Sequence, residues 1–451
     1  MTANLHLRAW NGAQVASQQC PILRPGVSKV AESTRGVKIM NERDLFRVAL
    51  GLDEPWEVTK IEFSAEKQRL DIHLDFPRGS KFPCSECGEK GGAYDTEERE
   101  WRHLNFFQHT THLHARYPRV KCDEHGVKRV MVPWSRPGSG FTLLFEALIM
   151  VFAKNNMTPN AIARLIGEHD TRIWRVLEHY VDESRAKQDQ SAVKKVGVDE
   201  TSRAKGHDYV SIFADMDERS VIYVANGKDH GTVREFKGSL EAHGGVAENV
   251  TDFSLDMSKA FIKGIREEFE HAELTFDKFH VIKLMNDAVD EVRRMEQKGC
   301  PGLKRTRFIW LKNEKNLTES QREAFDELKL STLKTARAYR IRLALQDLYD
   351  HALVEPEKHL KWWYFWATHS RLEPVIKVAK TIKAHWKGVM RWFESKLNNG
   401  FMEGINSLVQ AAKARARGYR STRKMKVMIY LIAGKLDFDL PNVLSAATHT
   451  K

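Results

Sequence analysis

The chain has 451 residues, enough for two to four domains with apolar cores of ordinary size. Its 72 Lys and Arg outnumber 60 Asp and Glu, and the resulting charge of +12 favours a polyanionic partner such as nucleic acid, although an ordinary protein with a basic surface is an equal alternative. The absence of an apolar run of 18 residues or of an apolar leader argues against a membrane or secreted protein, and five cysteines without a disulfide pattern predict a cytoplasmic, reducing location.

The N-terminal segment differs from the rest of the chain. Residues 1–39 are polar and lack periodicity, which predicts a disordered N-terminal extension. The following MNERDLFRVALGL has apolar residues at helical spacing. Regular structure is therefore expected from about residue 40.

Two short knuckles between residues 40 and 135 predict a zinc-ribbon domain. Cys84 and Cys87 form the first, and Cys122 and His125 form the second, 34 residues further on. Four such ligands make a closed tetrahedral site that suits structural zinc, whereas the alternative is four unrelated reduced residues. Strand-like alternation surrounds both knuckles, as in VTKIEFS and RLDIHLDF. The ribbon is expected to present a basic surface to DNA, consisting of Arg116, Arg119, Lys121, Lys128 and Arg129.

Residues 140–183 are predicted to form an all-α helix-turn-helix domain. Thr158 and Pro159 are typical of a helix start, and Gly167 permits the turn before a second helix at about 171–181. That geometry lets a second helix enter the DNA major groove, and a plain helical hairpin is the alternative. Arg172 and Arg175 on its outer face are the candidate DNA contacts, with base and phosphate both open.

An α/β pattern begins near residue 195. Three strand-like runs, a helix, a strand, a helix and a fifth strand follow in residues 195–285, an order typical of a ribonuclease-H-like core. Asp199 ends the first strand in VGVDET, and Asp256 ends the fourth in FSLDMS. Because the first and fourth strands are neighbours in that fold, we expect these two aspartates to meet at one end of the sheet.

Residues 286–395 are helical in character and are predicted to be a large insertion into that core. Thr318 and Gln321 have capping-box spacing. The aromatic run Trp362–Trp366 is interpreted as core packing, with stacking of one ring on an opened DNA base as the alternative. Residues 396–440 then complete the core and carry Glu403 in NGFMEGIN, and residues 441–451 form a tail.

A basic tract follows Glu403. The helix is predicted to continue through SLVQAAKARARGYRSTRKMK, which places Gln410 and Arg417 near the face that carries Glu403. Such a tract is commonly a solvated surface, but beside a metal ligand it is well placed to hold a DNA backbone. The candidate DNA-binding residues of the tract are Lys413, Arg415, Arg417, Arg420 and Arg423.

Three carboxylates, Asp199, Asp256 and Glu403, offer hard oxygen ligands that suit Mg²⁺ or Mn²⁺. Two such ions about 4 Å apart can clamp both oxygens of an in-line phosphodiester displacement. Asp277 in FDKFHV is the rival for the second position, with His280 beside it, and we interpret Asp277 as supporting the site from behind. The chemistry indicated is metal-dependent cutting and joining of DNA.

The ordered motifs VGVDET, SLDMSKAF, FDKFHVIKLMN and NNGFMEGINSLVQAAKARARGYR resemble bacterial insertion-sequence transposases of the ISL-three type. The resemblance covers nearly everything from Met40 and implies a zinc ribbon, a helix-turn-helix and a DDE site, formed here by Asp199, Asp256 and Glu403. It also implies Mg²⁺, structural zinc, and double-stranded DNA partners at the element ends and the target. A homodimer or larger assembly is expected for pairing two ends. His125 stands where the family often has cysteine, and a DNA-binding regulator with an inactive nuclease core is the alternative.

Overall fold

The computed structural model describes residues 40–443 except 207, 330–331, 351–354 and 398. The segment predicted to be disordered, residues 1–39, lies outside the described residues, as does most of the predicted tail. Within the described part, no helix is both long and apolar enough to cross a bilayer.

The N-terminal region is a β-sheet with its own core. Helix α1 (Glu42–Ala49) precedes six strands: β1 (Glu57–Ser64), β2 (Arg69–Asp75), β3 (Lys81–Pro83), β4 (Lys90–Phe106), β5 (His109–Cys122) and β6 (Gly126–Arg129). The sheet order is β1-β2-β5-β4-β3, with β6 paired to β5. Trp56, Trp101 and Trp134 meet edge to face at its centre, with ring centroids 4.7 Å and 5.5 Å apart. This cluster is separate from the two cores of the remaining chain.

Three helices follow, as the sequence predicts: α2 (Leu143–Lys154), α3 (Pro159–Ile166) and α4 (Asp170–Ala186). The Thr158 hydroxyl caps α3 by accepting a hydrogen bond from the Ala161 amide at 3.2 Å. Gly167 ends α3 in the left-handed conformation with φ 73°, which glycine adopts without steric cost. The second helix of the pair is therefore held in place by a local turn.

A five-stranded sheet forms the centre of the molecule. Its elements are β7 (Lys195–Ala204), β8 (Asp208–Asp215), β9 (Ser220–Asn226), α5 (Gly231–Ala242), β10 (Asp252–Leu255), α6 (Lys259–Glu268), β11 (Glu273–Phe276) and α7 (Lys278–Glu296). The strand order is β11-β10-β7-β8-β9, so the predicted adjacency of the first and fourth strands is confirmed. The fifth strand is shorter than expected, because the chain enters α7 directly after Asp277.

The helical region comprises α8 (Arg307–Leu311), α9 (Glu319–Lys329), α10 (Lys334–Asp350), α11 (Pro356–Thr368), α12 (Glu373–Ala384) and α13 (Trp386–Ser395). Helix α7 runs across the boundary expected at residue 285, and its apolar face packs on α10 and α12. The capping box is confirmed, since Thr318 and Gln321 exchange backbone-to-side-chain bonds of 3.3 and 3.4 Å.

The aromatic run on α11 is only partly core. Trp363 is fully buried and donates its indole N–H to the Ile341 carbonyl at 2.9 Å. Trp362 and Phe365 are 53% and 62% exposed, so the interpretation of the run as core packing is wrong for these two rings. Five consecutive residues span more than one helical turn, so their side chains cannot all point to the same side.

The prediction that the helix of Glu403 continues through the basic tract is also wrong. Helix α14 (Gly400–Arg415) ends, and α15 (Thr422–Ala433) starts anew with a Ser421 cap. Arg417 and Gly418 have φ of 55° and 93°, and the Gly418 amide donates to the Lys413 carbonyl, which closes the end of α14. Arg417 therefore lies in a loop rather than on the face of Glu403.

One hydrophobic core joins the helix-turn-helix to the central sheet. Ile173 and Leu177 of α4, Ile212 of β8, Met402 of α14 and Ile429 of α15 all belong to it. The opposite face of the sheet packs on α5, α6 and the helical region in a second core. The sheet is thus covered on both sides, and α14 lies across the edge where Asp199 emerges.

Candidate active site and metal centres

The pairing register brings Asp199 and Asp256 to the same level. In the parallel pair of β7 and β10, Gly197 lies opposite Ser254. Counting two residues onward from this last parallel pair places Asp256 beside Asp199. The expectation that Asp199 ends the first strand is wrong, because β7 continues to Ala204 in its antiparallel pairing with β8. The Leu255–Phe276 pairing of β10 with β11 places Asp277 at the same level on the next strand.

Asp199 is held from two directions. Its carboxylate accepts a hydrogen bond from the Glu200 amide at 2.8 Å and another from the Asn406 side-chain amide of α14 at 2.7 Å. Burial raises its pKa to about 6; the negative charge of Asp256 adds to the rise, and His280 opposes it. The ionised form of Asp199 is therefore poorly stabilised by its surroundings, and a bound cation would stabilise it.

Asp256 is half-buried directly after β10. One of its oxygens accepts from the Ser258 amide at 2.9 Å, which turns the chain into α6. Its negative charge contributes to the raised pKa of Asp199.

Glu403 lies in the first turn of α14, and buried polar groups fix the start of that helix. Asn399, which has no exposed surface, accepts from the Ser254 hydroxyl at 2.7 Å, and its backbone amide donates to Asp277 at 3.2 Å. Burial raises the pKa of Glu403, the charge of Asp277 raises it further, and His280 lowers it. Helix α14 is thereby tied to the ends of β10 and β11.

Asp277 differs from the other acids because it is only 2% exposed. One oxygen accepts from Asn399, while the other has no hydrogen-bond partner among the described residues. The side chain thus lies where α7 begins and is bonded to the start of α14.

The three carboxylates do not form a compact cluster. Among the described residues, only Cys84, Cys87, Cys122 and His125 are a group of three or more metal-binding side chains whose ligand atoms all lie within 4.8 Å of one another. Two cations about 4 Å apart, each with ligand bonds of about 2.1 Å, can span outer carboxylates up to about 8 Å apart.

Sequence reasoning missed Asn406. It lies three residues after Glu403, one turn along the same helix face, and reaches Asp199. Its other side-chain atom, Oδ1, is buried without a partner among the described residues. The spacing of Glu403 and Asn406 in EGIN indicates a shared helix face, but only the packing of α14 on β7 shows that Asn406 reaches Asp199. Gln410, which the sequence placed on this face, instead bonds Thr201 and the Ser202 carbonyl.

The ribbon holds a second candidate metal centre. The ligand atoms of Cys84, Cys87, Cys122 and His125 all lie within 4.8 Å of one another. The Sγ atoms of Cys87 and Cys122 are 3.6 Å apart, close to the roughly 3.8 Å edge of a tetrahedron with Zn–S bonds of about 2.3 Å. The amides of Cys87 and Glu86 lower the pKa of the Cys84 thiol, which favours the thiolate that zinc requires. Three sulfurs and one imidazole fit zinc.

Most of the ribbon's basic side chains are neutralised within the sheet. Arg116 pairs with Asp75, Arg119 with Asp95, Lys128 with Glu86 and Arg129 with Glu97. The expected basic surface of the ribbon is therefore much weaker than its composition indicates. Acids on β2 and β4 and Glu86 in the first knuckle cause this, and these pairs depend on the cross-strand register.

The candidate DNA-contacting residues fall into two groups. Three already have partners: Arg172 pairs with Glu168 and lies 3.9 Å from the Phe141 ring centroid, Lys413 donates to the Ser202 carbonyl, and Arg423 pairs with Asp182. The other four are exposed, namely Arg175, Arg415, Arg417 and Arg420. Three of these four line one cavity beside the helix-turn-helix.

Comparison with known proteins now decides the family. A family model described as "Transposase" matches residues 196–429, which is more than half of the chain. Residues 130–181 match the helix-turn-helix domain of transposase family ISL3, and residues 80–125 match the zinc-finger of transposase IS204/IS1001/IS1096/IS1165. The chain belongs to the ISL3 transposases.

Curated relatives agree with this assignment. The chain is 26% identical over 428 residues to the transposase for insertion sequence element IS1557 of Mycobacterium tuberculosis, covering 86% of this chain and 94% of that protein. It is also 26% identical over 393 residues to the transposase for insertion sequence element IS1001 of Bordetella parapertussis, covering 82% and 94%. The ISL3 protein described here is thus an insertion-sequence transposase with a zinc ribbon, a DNA-binding helix-turn-helix and a DDE catalytic domain, in that order.

Proposed function

We propose that Asp199, Asp256 and Glu403 are the DDE triad of this transposase and hold two Mg²⁺ ions on a ribonuclease-H-like core. The observation that carries the proposal is the shared level of Asp199 and Asp256, two residues beyond the last parallel pair of β7 and β10, with the helix of Glu403 bonded to Asp199 through Asn406. Asp277 takes the supporting position, since it is buried and fixes the start of α14.

The residues present fit divalent cations. All three candidate ligands offer carboxylate oxygens, the donors that Mg²⁺ prefers, and burial has raised the pKa of two of them. A bound cation would stabilise the ionised carboxylates of Asp199 and Glu403, which burial disfavours. When bound, the ions would activate water and then the freed 3′-hydroxyl, and stabilise charge on the leaving oxygen.

The protein's own groups orient this site. Asn406 and the Glu200 amide orient the Asp199 carboxylate. The bond between Asn399 and Asp277 holds the start of α14 and so positions Glu403. Such hydrogen bonds hold ligands within the narrow range that phosphoryl transfer requires. Hydrolysis of one strand at the element end exposes a 3′-hydroxyl, whose attack on target DNA breaks one phosphodiester and forms another.

DNA recognition is assigned to the front modules and the loop after α14. The helix-turn-helix would read the terminal inverted repeats through Arg175, with Arg172 acting locally to support the α4 start. Lys413, Arg415, Arg417, Arg420 and Arg423 would hold the backbone near the cut, with the ribbon as a zinc-stabilised support bound through Cys84, Cys87, Cys122 and His125. Pairing of two ends calls for a homodimer or larger assembly in the bacterial cytoplasm.

Asn406→Ala should slow cleavage about tenfold and weaken the apparent affinity for Mg²⁺, because Asp199 loses its orienting donor. The measurement is the cleavage rate against Mg²⁺ concentration, with Ser407→Ala on the exposed face of α14 as the control. An unchanged Mg²⁺ dependence would show that Asn406 merely packs.

The proposal is tested with duplexes that carry the element's own ends. Asp256→Ala should abolish Mg²⁺-dependent nicking while end binding stays within about twofold, because Asp256 touches no DNA-reading element. A regulator with an inactive nuclease core predicts instead that the unaltered protein binds ends and never nicks them. Nicking by Asp256→Ala at the unaltered rate would refute the triad.

A further inference from the structure

A cavity of about 500 Å³ opens between the helix-turn-helix and the loop joining α14 to α15. Arg164 of α3 lines one side, and Arg415, Arg417 and Arg420 line the other. The largely buried rings of Trp174 and Tyr419 also line it, edge to face at 6.3 Å between centroids. The cavity therefore has walls from two separate modules and a rigid aromatic lining.

Its charge is strongly unbalanced. Lys424 is the fifth cation and lies 4.7 Å from the Trp174 ring centroid, whereas Asp170 is the sole acid among the lining residues. In the part of the chain that the structure describes, no carboxylate lies within 4.0 Å of the guanidinium of any of the four arginines. By contrast, nearby Arg172 and Arg423 each have an acidic partner. Five cations around one space repel one another until an anion enters.

A second, open depression of about 360 Å³ adjoins this cavity. It shares Asn160, Arg164, Asp170 and Arg420 with the first and extends over the turn between α3 and α4, where Glu168 joins the lining. A small free anion would need only one of these spaces. Two adjoining spaces, of which one is rich in cations, instead suit one phosphate of a longer nucleic-acid backbone.

The cavity has a fixed distance from the catalytic site. Glu403 and Arg415 lie twelve residues apart on one helix, which corresponds to about 18 Å at about 1.5 Å per residue. The loop is anchored, since Arg203 donates to the Tyr419 carbonyl at 3.3 Å. At about 3.4 Å per base pair, 18 Å corresponds to roughly five base pairs of duplex.

We propose that this cavity holds one backbone phosphate of the end duplex, gripped jointly by α3 and the α14–α15 loop, and so fixes which phosphodiester reaches Glu403. The inference rests on the proposed function and extends it to Arg164 and Lys424. The helix-turn-helix thereby reads the sequence, while the shared phosphate sets the cutting position relative to it.

The test uses the double variant Arg164→Gln/Arg420→Gln in the full chain, with Arg219→Gln as the matched control. Arg219 is an exposed arginine in the β8–β9 turn, at the opposite end of the sheet from Asp199. Binding of end duplex is measured by fluorescence anisotropy at several salt concentrations, and phosphate contacts are mapped by ethylation interference.

For the double variant we expect the slope of log K against log salt to fall by about one, because one phosphate contact contributes about 0.9. We also expect one ethylation-sensitive phosphate, roughly five base pairs from the cut, to lose its effect, and cut positions to spread over neighbouring bonds. A slope and ethylation pattern equal to those of Arg219→Gln, with normal cleavage by the unaltered protein, overturns the cavity assignment alone. An unaltered protein that neither binds nor cuts end duplex overturns the proposed function and this inference with it.

Discussion

Asp199→Asn is expected to abolish strand cleavage and at the same time to stabilise the metal-free protein. Cleavage should fall by at least about a thousandfold, since the variant removes one of the three carboxylates proposed to hold the cations. The neutral amide can still accept from the Glu200 amide, and rotation of Asn406 would offer its buried, unpartnered Oδ1 to the new N–H group. The fold therefore loses a buried charge without losing its hydrogen bonds.

The stability gain should depend on pH. The pKa of Asp199 is about 6 in the fold against an ordinary value of 3.8, so the fold retains a proton that the unfolded chain releases. This favourable contribution is complete below about pH 4 and is lost as the pH rises through 6. At pH 7.5 the ionised carboxylate should cost the metal-free fold about 1–2 kcal/mol after allowance for its partial exposure, and asparagine removes that cost.

Urea unfolding in magnesium-free buffer at pH 5 and pH 7.5 measures this effect, with the exposed Asp437→Asn as the control. The gain of Asp199→Asn should be larger at pH 7.5 than at pH 5. An equal loss of stability at both values would show that the carboxylate supports the fold rather than the chemistry.

Cys84→Ala should unfold the ribbon and leave the catalytic sheet intact. Zinc binding supplies about 10–16 kcal/mol in small zinc modules at neutral pH, so loss of one buried thiolate removes the main constraint on β3 and β6. The central sheet has separate cores and should be unaffected. End binding is expected to fall about a hundredfold.

Zinc content and hydrogen exchange check this prediction. The unaltered protein should hold one zinc per chain and Cys84→Ala almost none, with faster exchange confined to residues 81–129. Cys300→Ala changes a half-buried cysteine far from the knuckles in sequence and serves as the matched control. Stoichiometric zinc in Cys84→Ala would remove Cys84 from the ligand set.

The sequence predicts local features of this fold well and long-range partners poorly. The zinc knuckles, the Thr158 cap and the strand end before Asp256 depend on spacing within a few residues, and the structure has these features. The strand end expected at Asp199 is wrong, because the pairing that extends β7 to Ala204 is with β8 and not local. The break at Arg417 was missed because lysine, arginine and alanine favour helix, so one glycine carried too little signal. Asn406 and the ion pairs of the ribbon depend on contacts across strands and helices that no local pattern contains.

The common core of α4, β8 and α15 has a consequence for how such elements diversify. A DNA-binding domain joined to a catalytic domain by a flexible linker can be replaced as a unit by another DNA-binding domain. Here, removing the helix-turn-helix would expose Ile173 and Leu177 together with the apolar face of the central sheet. New end sequences are therefore expected to be acquired by changing solvent-facing side chains such as Arg175 one at a time. The amino-acid sequence of the transposase and the base sequence of its inverted repeats would then change together, a few positions at a time.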